Sequence, residues 1–344
     1  MSTSSILVVG FGGIGAITAY NLEAGGLATV TAVLRSNYTI VREQGIKIDS
    51  VDYGSIISWR PTHSELWLRA IRRTYACLYS QSPVSRFDFI VVCTKNTPDI
   101  PPTVADIIAP AVTPGHTAIV LIQNGINVEK PIIAHFPSNV VISGVSRMSV
   151  LEPSRGVVHQ PGHDHLIVGA FRNHDLPIEE ERAAAIKFCS LYQASGKATV
   201  EYEEDVAFIR WRKLVYNVSF NSLCAITGMD CSSIKVARSP ITELILPVML
   251  EIKSIARAAG VKLAPDQEEI SLAADPLDRH FKPSMQQDIE KGNFMEIETI
   301  VGEPVREAQR LGVPAPTLTT IYALLRALQE RIKQQKRMGD IPRS

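Results

Sequence analysis

The sequence has no surplus of either charge. Its 35 Lys and Arg balance 35 Asp and Glu, for a formal net charge of zero. A protein whose main work is to grip nucleic acid needs a basic excess to neutralise phosphates, so that class is excluded. There is no uninterrupted apolar run of about 18 residues, so no membrane span is expected. Cysteine is sparse and unpaired in pattern. Cys77, Cys93, Cys189, Cys224 and Cys231 are odd in number, and none stands in CxxC spacing. That excludes a disulfide framework and a zinc finger, and reduced thiols in the cytosol are the expected state. No basic segment precedes the short apolar stretch Ile6 to Val9, and the last residues carry no prenylation or retention signal. The expected location is therefore cytoplasmic. Internal repeats and low-complexity tracts are also missing.

What is present is a chain of 344 residues with 45% hydrophobic residues, long enough for about two domains with substantial cores. Short β-branched runs alternate with helical stretches through the first two-thirds. Ile6 to Val9, Ala28 to Leu34, Phe87 to Thr94, Thr117 to Ile122, Val140 to Ser146 and Leu166 to Val168 read as strands. Ile14 to Glu23 and Thr103 to Ala109 read as helices between them, which implies parallel βαβ units in a doubly wound α/β sheet. The stretch from Val51 to Ser82 is irregular, with a helix expected over Glu65 to Arg73. Its Arg69, Arg72 and Arg73 read as a solvated face, with a partner surface as the other reading. Glu201 to Asp205 reads as an acidic connector. Beyond it the period is helical, over Asp205 to Ala225, Pro240 to Ala259, Ser284 to Leu311 and Thr317 to Lys336. The expected division is residues 1–203 and 204–344.

Gly10-Phe11-Gly12-Gly13-Ile14-Gly15 is a G-x-G-x-x-G placed directly after a strand and opening a helix. In that setting the first glycine permits the turn, the second admits a pyrophosphate, and the third lets helix and sheet approach. NAD enzymes of this architecture place an acid at the end of the second strand, on the ribose 2′-hydroxyl. Here no acid stands between Ala28 and Thr39, and the strand ends Leu34-Arg35-Ser36-Asn37. Arg35 in the place of the acid suits a 2′-phosphate, hence NADPH, the alternative being a plain surface arginine. Two further strand ends carry polar groups, Thr94-Lys95 and Gln123-Asn124-Gly125. Both positions suit ligand contacts, although Asn-Gly is also a common turn pair and Lys95 also fits a solvated loop.

Lys213, Asn217 and Asn221 are spaced i, i+4, i+8 among Leu214, Val215, Val218 and Phe220. On one helical face in such apolar company, these groups are costly unless they line a wet or ligand-filled cleft. An ordinary solvent face is the alternative. A lysine there can protonate a carbonyl oxygen as it is reduced. Ser284 offers either a helix cap or a substrate hydroxyl, and Glu296 and Glu298 are two apart, so only one faces a given cleft. His159, His163 and His165 alternate without clustered acids or thiols, which argues for structural roles and against a metal.

Taken together, these blocks resemble the ketopantoate reductase (2-dehydropantoate 2-reductase) family. The resemblance rests on Gly10 to Gly15, Leu34-Arg35, Cys93-Thr94-Lys95, Gln123-Asn124-Gly125, Gly156-Val157-Val158-His159, Lys213-Leu214 with Asn217 and Asn221, and Ser284 to Asp288 with Glu296. It implies an N-terminal Rossmann-type domain and an all-helical C-terminal domain like that of 6-phosphogluconate dehydrogenase. It implies an NADPH-dependent reduction of a small anionic 2-oxo acid to a D-2-hydroxy acid, with 2-dehydropantoate and pantothenate biosynthesis favoured, by a monomer or homodimer. The implied roles are Lys213 as catalytic acid and Glu296 as a carboxylate near the substrate hydroxyl and nicotinamide ribose. Asn217, Asn221 and Ser284 become substrate ligands, Asn124 a contact to cofactor and substrate, and Lys95 a cofactor-side or gating lysine. The rival readings are a reductase of another carbonyl within the family, and a non-catalytic NADP-binding regulator.

Overall fold

The computed structural model describes residues 3–66 and 86–339. Within them the chain forms two compact units. The first comprises Met1–Asn96, Pro102–Gln123 and Val128–Val206, and the second Thr97–Pro101, Asn124–Asn127 and Ala207–Ser344.

The first unit is built on buried strands. β1 (Ser4–Val9), β2 (Ala28–Leu34), β3 (Ile46–Ser50), β4 (Gly54–Trp59), β5 (His63–Leu66), β6 (Phe89–Val92), β7 (Ala118–Leu121), β8 (Val141–Ser146), β9 (Leu151–Ser154), β10 (Val157–Gln160), β11 (His165–Ala170) and β12 (Thr199–Tyr202) follow in chain order. Eight of them make one sheet in the order β12-β11-β8-β7-β6-β1-β2-β5. All neighbours pair in parallel except β8 with β11, which are antiparallel. Period-2 alternation sends successive residues to opposite faces. Ile6 and Val8 therefore enter one core with Ile17 and Leu22 of α1 (Gly13–Ala24), and Leu7 and Val9 enter another. The remaining helices of this unit are α2 (Tyr38–Gln44), α3 (Val104–Ile108), α4 (Lys130–His135) and α5 (Ile178–Gln193). α3 and α4 cover the Leu7 face through Val104, Ile108 and Ile132, while Phe188 and Tyr192 of α5 cover the Ile6 face. Strands buried on both sides read as continuous apolar runs, which is how β1 and β6 look in the sequence. The chain builds outward from β1 on one side through β2 and on the other through β6. β1 is thus the switch point, where ligands of such sheets bind at the carboxyl ends of the strands.

A second sheet, β4-β3-β10-β9, was not expected. β3 shows the reason it forms: Ile46, Ile48 and Ser50 are buried, and Lys47 and Asp49 are exposed. Two other expectations are corrected. The acidic connector at Glu201 and Tyr202 is the end of β12, an edge strand on β11 whose one acid, Glu201, is exposed. The helix expected from Glu65 does not begin there, because Glu65 and Leu66 close β5; Arg69, Arg72, Arg73 and Cys77 lie outside the described residues.

The second unit is helical. Its helices are α6 (Val206–Tyr216), α7 (Ser222–Thr227), α8 (Cys231–Ala237), α9 (Leu246–Ala258), α10 (Gln267–Ala273), α11 (Ser284–Glu290), α12 (Glu303–Leu311) and α13 (Pro316–Gly339). The core is one cluster. Val248, Ile252 and Ile255 of α9 meet Leu318, Ile321 and Leu325 of α13 at the 3–4 residue spacing of an apolar stripe. Ser284 to Leu311 is not one helix as expected. Gly292, with φ of +64°, ends the first part, and residues 293–296 carry no helix before winding resumes through Glu298–Gly302 into α12. Cys224 and Cys231, apart in sequence pattern, lie with their sulfurs 3.9 Å apart in this core. Among the described residues no helix is long and apolar enough to cross a membrane.

Candidate functional site

The glycine cradle sits at the carboxyl end of β1. Gly10 has φ of +97°, and a Cβ there would lie 2.6 Å from the Thr94 amide nitrogen. A Cβ on Gly15 would lie 1.9 Å from the Gly10 carbonyl oxygen, so neither position admits a side chain. At Gly12 the situation differs, because the one atom within 4 Å of an added Cβ is a carboxylate oxygen of Glu152 at 3.8 Å, an ordinary contact that leaves room above the backbone. Gly12 is the N-cap of α1, with no side-chain cap and no acid in the first turn. Gly13 and Ile14 open the helix and Phe11 is buried beneath the turn. A bare helix N-terminus with an open second glycine is the geometry that takes a pyrophosphate, so these residues fit a dinucleotide. Arg35 is exposed directly after β2, and Lys95 is exposed in the loop after β6. Gln123, at the strand end the sequence marks as polar, is buried. Its amide donates to the Thr94 carbonyl at 2.8 Å and its oxygen accepts from Asn96 at 3.4 Å, pinning the loop that carries Lys95.

In the second unit three of the expected residues join. Lys213, near the end of α6, donates from Nζ to Asn124 Oδ1 at 2.8 Å. Asn124 Nδ2 in turn donates to Glu296 Oε2 at 3.3 Å. The amide is thereby oriented from both ends, its oxygen toward the ammonium and its nitrogen toward the carboxylate. Glu296 is buried, while Glu298 turns to Tyr322 and Arg306, as a spacing of two demands. Asn217 and Asn221 are both buried, at 7% and 3% exposure. They bound a π-helical segment, Asn217–Asn221, that interrupts α6 and α7. π segments concentrate at functional sites because they widen the turn and re-aim side chains. Ser284 lies in the first turn of α11, which packs against that segment. Pro283, not Ser284, is the N-cap, so the capping alternative is withdrawn.

Several residues that hold this cluster were not anticipated. Arg210 is 4% exposed and donates to the Gly125 carbonyl at 3.1 Å, one turn of α6 before Lys213. Gly125 has φ of +98°, and a Cβ there would strike the Thr299 carbonyl at 2.3 Å. Ile126 bonds its backbone nitrogen to that same carbonyl. Gln329, on α13, brackets Met295, accepting from its nitrogen and donating to its oxygen, and so fixes the extended stretch that presents Glu296. The three histidines have separate partners: His159 pairs with Asp49, His163 with Asp52 and His165 with Glu201. Among the described residues no His, Cys, Asp and Glu cluster could hold a metal.

Known proteins place this arrangement. Residues 6–173 match the family model described as ketopantoate reductase PanE/ApbA, and residues 205–329 match its C-terminal counterpart. A Saccharomyces cerevisiae protein, "Uncharacterized protein YDL144C", is 36% identical over 97% of this chain and 96% of its own length. The crystal structure of 2-dehydropantoate 2-reductase from Methylococcus capsulatus superposes with a TM-score of 0.77 at 28% identity, covering 95% of this chain and 97% of that one. The ternary structure of D-mandelate dehydrogenase with NADH and anilino(oxo)acetate shares the fold, with a TM-score of 0.78 at 18% identity over 96% of this chain and 99% of that one. The α/β unit with its parallel sheet and the helical unit together are the architecture of these reductases, and the chain belongs to the ketopantoate reductase family, whose members are oxidoreductases acting on CH–OH groups.

Proposed function

We propose that this protein is a cytoplasmic NADPH-dependent reductase of a small 2-oxo acid, with 2-dehydropantoate as the favoured substrate and (R)-pantoate as the product. The observation that carries the reading is the Lys213–Asn124–Glu296 chain, in which a buried carboxylate and a lysine are bridged by one oriented amide. The cradle from Gly10 to Gly15 would hold the pyrophosphate and Arg35 the 2′-phosphate, with Lys95 on the cofactor side. The reduced nicotinamide, when bound, supplies the hydride to the carbonyl carbon. Lys213 gives the proton that converts the carbonyl oxygen to the hydroxyl, the step that general-acid catalysis assists. Asn217, Asn221 and Ser284 orient the substrate by hydrogen bonds that add no competing charge. Glu296 holds Asn124 in register, and the family resemblance assigns its carboxylate to the substrate hydroxyl and the nicotinamide ribose.

The test is NADPH oxidation followed with 2-dehydropantoate, pyruvate, 2-oxoisovalerate and phenylglyoxylate side by side. The proposal expects the highest kcat/KM on 2-dehydropantoate. A higher value on phenylglyoxylate would move the assignment to an aromatic 2-oxo acid. Tight NADPH binding without turnover of any of the four would favour a non-catalytic sensor.

A further inference from the structure

The strand end that reads the adenosine ribose in nicotinamide-binding folds carries Arg35, Ser36 and Asn37 here, and no acid. The fold returns an acid to that place from a distant element. Glu152, on β9 of the small sheet, accepts at Oε1 from Asn37 Nδ2 at 2.6 Å. Its Oε2 is the atom nearest to a Cβ built on Gly12, at 3.8 Å. One carboxylate thus borders both the open second glycine of the cradle and Asn37, the third residue beyond the end of β2. Asn37 is held as tightly. It is 5% exposed, and the same Nδ2 also donates to the Phe11 carbonyl at 3.2 Å. Among the described residues its Oδ1 is buried without a hydrogen-bond partner. A buried amide oxygen with no donor is uncommon and calls for a partner from outside the chain. A ribose hydroxyl is such a donor.

We propose that Glu152, steadied by Asn37, reads the 2′ position of the cofactor's adenosine ribose and extends the cofactor range of this chain to NADH. This rests on the reading that the cradle binds a nicotinamide dinucleotide. A 2′-hydroxyl donates its proton to a carboxylate and gains a charge-assisted hydrogen bond. A 2′-phosphate has no proton to give near neutral pH and is repelled by the same group. Arg35 pulls in the opposite direction. The two side chains form a discriminator of opposed signs, assembled from β2 and β9, and neither alone sets the preference.

The experiment is a fluorescence titration of the full-length protein with NADPH and with NADH, for wild type, Glu152→Gln and Glu152→Asp. Gln keeps the size and the oxygen that Asn37 bonds. Asp keeps the charge but draws it back. Wild type is expected to bind both cofactors with dissociation constants within roughly tenfold of each other, since the opposed charges offset. Glu152→Gln should tighten NADPH and weaken NADH, moving their ratio by about tenfold or more, the worth of one hydrogen bond to a charged group. Glu152→Asp should fall between. A ratio unchanged within twofold in both variants overturns the role of Glu152. Failure of wild type to bind either cofactor overturns the reductase reading itself, a different result in the same titration.

Discussion

The two units build their candidate sites by opposite means. The first removes side chains. Gly10 and Gly15 exclude a Cβ by contact with backbone, and Gly12 leaves the end of α1 without a side-chain cap, so under the proposed function the helix N–H groups would be the recognition elements. The second adds side chains. Lys213, Asn124 and Glu296 stand in one hydrogen-bonded line, anchored by Arg210 and Gln329 through backbone carbonyl and amide groups. A backbone site tolerates changes of charge around it but not an extra carbon. A side-chain site tolerates small changes of shape but not the loss of a partner. The two kinds of site therefore break in different ways.

Lys213→Ala breaks the second kind and should show the largest effect. If Lys213 is the proton donor, kcat falls by roughly 10²–10⁴, the usual range for a general acid. NADPH affinity measured by fluorescence stays near wild type. A variant that keeps near-full turnover at saturating substrate removes Lys213 from the chemistry. Gly15→Ala breaks the first kind. The added methyl would sit 1.9 Å from the Gly10 carbonyl, so the turn must open, at a cost of about 3 kcal/mol in stability by the measure of overpacked cores. Urea unfolding and cofactor binding should both register it. An unfolding midpoint equal to wild type would show that the turn yields freely.

How much of this contrast is legible in the sequence follows from the same difference. A site made of missing side chains is visible as a motif, because glycine is the only residue that serves and its spacing is set by one turn. Strands such as β1 and β2 are equally plain as apolar runs bounded by Gly10 and Arg35. The polar stripe of Lys213, Asn217 and Asn221 is visible by its period, but the π segment that carries its last two members has no sequence signature of its own. Arg210 and Gln329 are invisible for a further reason. They act on main-chain atoms 85 and 34 residues away, and main-chain atoms leave no trace in residue identity. The small sheet is a middle case. The alternation Ile46-Lys47-Ile48-Asp49-Ser50 announces β3, whereas Pro153 and Gly156 disguise β9 and β10 as loop. Glu152 on that disguised strand could not be placed beside the cradle from the sequence alone.

Arg35→Ala sharpens the comparison within the first unit, because Arg35 is the side chain added to a backbone site. Calorimetry should show NADPH binding weakened by ~1.5–3 kcal/mol, the worth of a hydrogen bond between charged groups, with NADH binding barely changed. Equal losses for both cofactors would mean that Arg35 does not read the 2′-phosphate.

A last test concerns a buried carboxyl of the first unit. Asp164 accepts from the hydroxyls of Tyr53 and Tyr192, and its backbone nitrogen donates to Asp52. Burial pushes its carboxyl up to about 6, against the lowering influence of the two phenols. The two neutral phenols do not offset desolvation there. The folded state thus holds this proton more tightly than the unfolded chain, whose aspartates titrate near 3.9. The stabilisation this supplies is full below about pH 4 and is lost as pH rises through about 6, a change of roughly 2–3 kcal/mol for a shift of about two units. Asp164→Asn keeps an acceptor for both tyrosines and cannot ionise. The difference in urea midpoint between wild type and variant should therefore move steadily in favour of the variant from pH 4 to pH 7. A difference that stays constant over that range would mean that the small sheet and α5 are joined by an aspartate that is already charged in the acid range, and that the first unit too can bury a carboxylate at little cost.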